Sequence, residues 1–143
     1  MNMRIEELSI GDWVCAKLAK WESDDADMTP PLQVKAIYGI ERHNLYVDLF
    51  NPSNNTIEHS AFVEDLIPIP LTPEILEKNG YRLIIKNNRF NDWCNFFVVV
   101  RKYDYEDNYR LFIGGVKMDF KLHNVHQLQH ALRLAGIEKE IVV

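Results

Sequence analysis

Residues 62–81 read FVEDLIPIPLTPEILEKNGY, and this stretch reads as a joint between two small folding units. Pro68, Pro70 and Pro73 stiffen it, because each fixes its own φ and donates no backbone N–H. Thr72 is placed to cap a helix, with Pro73 at the first helical position, where a missing N–H costs nothing. Leu71 and Leu76 stand at the two positions of a hydrophobic staple, and Gly80 supplies a left-handed stop. A helix of about two turns cannot stand alone, so Ile75, Leu76 and Tyr81 must dock on something apolar.

Upstream of the joint the pattern is one of short strands. Gly11-Asp12 marks a turn, and residues 13–18 have strand composition. Residues 22–27 contain four acids, and Pro30-Pro31 follows, which reads as an exposed loop. Residues 32–40 and 45–50 are further strands, with His43-Asn44 as a tight turn between them. Residues 51–55 (NPSNN) form a strong turn before a strand at 56–60, a helical turn at 61–66 and a last strand at 67–69. Five short strands, a long loop after the first and a helical turn before the last fit an SH3-like small barrel over residues 1–70, with a five-stranded OB-type barrel as the competing layout.

Downstream, residues 71–143 read as an α+β unit. A strand at 81–85 is followed by one long aromatic strand at 90–100, paired with 109–113 across the turn at 104–108. Gly114-Gly115 makes another turn. Val116, Met118, Phe120 and Leu122 then alternate with Lys117, Asp119 and Lys121, the pattern of a half-buried strand. This predicts a three- or four-stranded antiparallel meander. A closing helix runs from Asn124, with Gln127 at capping-box spacing and Val125, Leu128, Ala131, Leu132 and Ala135 on one stripe. The fold class is therefore mainly β, a small barrel followed by an antiparallel meander packed with a C-terminal helix.

The hydrophobic fraction of 47% and charged fraction of 26% are those of a soluble globular chain. No apolar run approaches the roughly 18 residues of a bilayer span, so no membrane partner is expected. The opening MNMRIEELSIGDW has no secretion pattern, and Cys15 and Cys94 are too few for a disulfide framework. The expected location is cytoplasmic. The net charge of −5 is uneven. Residues 1–70 hold 5 Lys/Arg against 12 Asp/Glu, a balance of −7, and residues 71–143 hold 11 against 9, a balance of +2. The first unit is thus poorly suited to phosphate backbones.

Three pieces, LSIGDWV at 8–14, VEDLIPIPLTPEILEKNGY at 63–81 and VHQLQHALRLAGIE at 125–138, resemble a family of short uncharacterised bacterial proteins. That family carries a PIPLTxExLxxxGF-like joint and a VHQLQxxxxALTGxEL-like closing helix. Asn124 stands where the family has an aromatic residue, and residues 133–135 also depart from its pattern. The resemblance implies one shared fold across the chain and carries no activity with it.

Candidate chemistry gives way to plainer readings. His126 and His130 have zinc-ligand spacing, but Gln127 stands where a metalloprotease needs its glutamate base, so both are read as the polar flank of the helix. Cys94 lies in an aromatic strand and Cys15 in the strand at 13–18, and both are read as structural thiols, which are often simply buried. No phosphate-binding loop appears, so no metal or cofactor is expected, and the chain is read as non-enzymatic. Two binding readings remain. In SH3 domains an acidic loop flanks an aromatic groove for proline-rich peptides, and here Asp24 and Asp25 with Trp21, Tyr38 and Tyr46 could supply such a site for a protein partner. The alternative is single-stranded nucleic acid stacking on Tyr103 and Tyr105 beside Arg101, Lys102 and Arg110, opposed by Asp104, Glu106 and Asp107. A homo-oligomer is compatible with either.

Overall fold

The computed structural model of the chain describes residues 3, 5–19, 21–22, 26–41 and 44–143. The chain divides into two compact units, Met1–Ile69 and Pro70–Val143, each built on one five-stranded antiparallel sheet.

In the first unit β1 (Trp13–Ala16), β2 (Leu32–Glu41), β3 (Asn44–Asn51) and β4 (Thr56–Phe62) precede a 3-10 turn (Val63–Asp65) and β5 (Leu66–Pro68). The strand order is β4-β3-β2-β1-β5. Side chains alternate across the pleat. Val14, Val34, Val47, Leu49, Ala61 and Leu66 fill the interior, while Tyr46, Asp48 and Ser60 face outward. The expected barrel is not closed. Strands β4 and β5 are the two margins and share no ladder, because β5 is only three residues long and its pairing is spent on β1. His43, expected in a tight turn, lies outside the described residues, and Asn44 opens β3.

The long loop after β1 is folded back on itself. Lys17 bridges Met28, and the amide of Leu18 donates to the carbonyl of Asp27 at 2.9 Å. The Ala16 amide donates to Thr29 Oγ1 at 2.9 Å, so the buried Thr29 anchors the base of the loop.

The second unit contains α1 (Pro73–Lys78), β6 (Arg82–Lys86), β7 (Phe90–Asn95), β8 (Val98–Tyr103), β9 (Tyr109–Ile113), β10 (Val116–Leu122) and α2 (Val125–Leu134), with sheet order β10-β9-β8-β7-β6. Thr72 Oγ1 accepts the Ile75 amide, and Leu71 and Leu76, at the two staple positions, are both buried. The long strand expected at 90–100 is instead two strands joined by a tight turn at Phe96-Phe97, so the meander has five strands. Phe96 turns the chain with φ +55°, a left-handed conformation that bulky residues rarely adopt, and the central pair of the turn holds no Gly or Asn. The alternation in β10 buries only Leu122 fully, because β10 is a sheet margin with one neighbour.

Trp93, Val98, Val100, Tyr109, Leu111 and Leu122 from the sheet and Val125, Leu128, Ala131 and Leu132 from α2 form the interior of this unit. Gln127 Oε1 accepts the amides of Asn124 and His123, closing the first turn of α2. His126 is buried, not on the wet flank of the helix, and Ala135 is exposed. The chain end is pinned down. The Ile141 amide donates to Gln129 Oε1 at 2.7 Å, and Asn79 bonds both Val142 N and Val142 O.

Candidate binding cleft

The gap in the first sheet is a cleft of about 400 Å³. One wall is four consecutive residues of the free margin β4, His59, Ser60, Ala61 and Phe62. The other is Lys17, Leu18 and Ala19, which follow β1, together with Asp65 of the 3-10 turn. The Lys17 amide donates to the Asp65 carbonyl at 2.8 Å, which fixes the floor of that wall.

Trp21 and Glu22 border the opening. A turn holds them there: the Glu22 amide donates to the Ala19 carbonyl at 2.9 Å, and the Ala19 amide donates to Glu22 Oε2 at 2.8 Å. Trp21 is left 85% exposed by this arrangement. An indole of that size is normally mostly buried, so this exposure beside a concave site stands out.

The aromatic lining continues across the sheet. Phe62 stacks on Tyr46 at 4.4 Å between ring centroids, and Tyr46 on Tyr38 at 5.9 Å. These three sit opposite one another on β4, β3 and β2. Beside them Asp48 Oδ1 accepts the Tyr38 hydroxyl at 3.0 Å and the Ser60 hydroxyl at 2.6 Å. The bond to Asp48 pushes the Tyr38 phenol above its ordinary pKa. The result is an aromatic ladder ending at the cleft, with Asp48 beside the ladder and Glu22, Asp65 and Lys17 among the cleft residues. Of the expected site residues, Trp21, Tyr38 and Tyr46 belong to this one surface, while Asp24 and Asp25 lie outside the described residues. Phe62, Asp48 and Ser60 join it unforeseen.

Tyr103 and Tyr105 belong to the second unit, stacked at 5.2 Å beside a hollow of about 460 Å³ that Arg89, Phe90 and Arg101 also line. Their cations are turned inward. Arg101 forks onto Asp92, Arg110 onto Glu106, and Lys102 Nζ donates to the carbonyls of Tyr103 and Glu106. Arg110 and Asn108 hold the Glu106 carboxyl below the usual range, with the Arg110 bond the larger cause. Burial pushes the Cys15 thiol up, away from the thiolate a nucleophile needs. Among the described residues no group of three or more His, Cys, Asp or Glu is placed to hold a metal ion. No helix is long and apolar enough to cross a membrane among them.

Comparison of the chain with family models, with curated proteins and with solved structures gives no match.

Proposed function

We propose that the chain is a non-enzymatic, cytoplasmic protein-interaction module whose first unit is an SH3-like barrel left open at the Trp21 cleft. The strand order, the folded loop after β1 and the 3-10 turn before β5 support that fold. The ligand is an extended segment of a partner protein carrying Lys or Arg beside proline or aliphatic residues. One observation carries the reading: an exposed tryptophan stands over a cleft with a free strand margin on one wall and carboxylates around it. Flat rings take proline and aliphatic side chains, the margin offers main-chain partners, and the acids select cations. The kinship to the bacterial family named above is likewise proposed, on the joint and the closing-helix motifs.

The test is a fluorescence titration with basic proline-containing peptides. Trp13 and Trp93 are buried, so a change in emission reports Trp21. Binding that is lost in Trp21→Ala and weakened in Phe62→Ala supports the reading. Unchanged emission at millimolar peptide removes it.

A second reading is single-stranded nucleic acid on the Tyr103–Tyr105 stack, with Arg89 at its rim. The internal engagement of Arg101, Lys102 and Arg110 weighs against it, since affinity for phosphate needs cations that face solvent. Salt-dependent retention on single-stranded DNA, lost in Tyr105→Ala, would favour it.

A further inference from the structure

The second sheet has an apolar, exposed margin at β6. All five of its residues, Arg82–Lys86, are exposed, so neither face of the strand is covered. Leu83, Ile84 and Ile85 stand in a row, and Ile84 is 56% exposed. The pairing with β7 slips between Leu83 and Ile85, which leaves Ile84 as the extra residue of a bulge. The opposite margin, β10, is different. It interleaves Lys117, Asp119 and Lys121 with its apolar residues, the usual protection of an edge. On β6 charge is found only at the two ends, Arg82 and Lys86. Neither makes an ion pair among the described residues, in contrast with Arg101 and Arg110.

We propose that β6 accepts a sixth strand from a partner protein, an extended aliphatic segment with a carboxylate at each end. The free ladder groups of the margin supply the main-chain bonds, and the aliphatic row supplies the apolar contact. The end charges choose the partner. Antiparallel pairing of β6 with β6 of a second copy, centred on Ile84, sets Arg82 against Lys86 at both ends, and directly opposed like charges are destabilising. Sliding by one residue sets each Arg82 against Ile85, or each Lys86 against Leu83, of the other copy, so that a charge faces an aliphatic side chain at both ends. An acidic-ended segment meets neither obstacle. This surface lies in the second unit and is independent of the Trp21 cleft.

The test uses the full chain, labelled with nitrogen-15, and two capped peptides, Asp-Val-Ile-Val-Glu and Lys-Val-Ile-Val-Lys. The acidic peptide should shift the amide signals of residues 82–86 and bind about tenfold more tightly than the basic one. Arg82→Glu combined with Lys86→Glu should reverse that preference, and Ile84→Pro should abolish binding of both. These variants sit on an exposed strand, and an unchanged spectrum for residues 90–134 shows that they fold. Equal binding of the two peptides, or none of either, overturns the proposal. A concentration-dependent dimer that Ile84→Lys dissolves also overturns it, in favour of a second copy.

Discussion

Asp92 and Arg101 face each other across β7 and β8 in a two-pronged ion pair, Nε to Oδ1 at 2.7 Å and Nη2 to Oδ2 at 2.9 Å. Asp92 is 3% exposed, and the guanidinium lies 3.9 Å from the Phe90 ring centroid and 4.8 Å from that of Phe112. The bond to Asp92 drives the Arg101 pKa still higher, so the cation never discharges. Exposed ion pairs contribute at most about 1 kcal/mol, whereas removing one partner of a buried pair costs about 3–5 kcal/mol. Asp92→Asn should therefore lower stability by about 3 kcal/mol in urea unfolding. The double variant Asp92→Leu with Arg101→Met should recover much of it. A loss under about 0.5 kcal/mol in the single variant would place the pair with the surface kind.

Asn79 ties α1 to the chain end. Its Nδ2 donates to Ile75 O and Val142 O, both at 2.7 Å, and its Oδ1 accepts Val142 N at 2.8 Å. Asn79→Ala leaves these groups without their partner at a buried position, at a cost of about 2 kcal/mol. The expected readout is faster carboxypeptidase trimming past Ile141, with a lower melting temperature.

Phe96 holds a left-handed backbone while 92% exposed, so its ring gains little from packing. That conformation costs an L-residue roughly 1–2 kcal/mol, and glycine adopts it freely at some cost in unfolded-state entropy. Phe96→Gly should raise stability by about 0.5–1 kcal/mol. A lower melting temperature would show that the ring contributes packing that outweighs the strain.

Burial raises the Tyr81 phenol from 10.0 to about 12. Between these values the unfolded chain has lost the phenol proton while the folded chain still binds it. Stability supplied by neutral Tyr81 is therefore complete below about pH 10 and declines through pH 12, by roughly 3 kcal/mol in all. Burial also raises Tyr109, in the same direction. Tyr81→Phe should flatten the alkaline limb of a stability profile, and an unaltered slope would assign that limb elsewhere.

Asp48 ties the aromatic ladder to charge. Asp48→Asn should bring the Tyr38 phenol pKa down toward the ordinary range, since the bond and the charge that raise it both weaken. Ring-carbon NMR through an alkaline titration reads this, and an unmoved Tyr38 would mean that another group raises it.

The antiparallel strands and the closing helix were legible because capping residues, alternation and turn chemistry agree locally. Two features escaped for physical reasons. The turn at Phe96-Phe97 uses residues that disfavour it, so no pattern announces it. The Phe62–Tyr46 contact depends on a bulge: Asn51 pairs with Thr56 and Phe50 with Ile57, but Leu49 pairs with His59. Counting back from the Asn51–Asn55 turn without that slip sets Tyr46 against Ala61 and points Phe62 to the other face. The open gap in the first sheet was not legible either, since whether a five-stranded sheet closes depends on long-range geometry that local composition does not encode.

The unclosed first sheet also has a dynamic signature. Strands β1, β2 and β3 have neighbours on both sides, whereas β4 and β5 have one each. Amide deuteration should therefore advance from the outer strands inward, with β2 the last to exchange. On the binding reading proposed above, a domain loosened at its seam and firm at its centre spreads to admit a guest without melting.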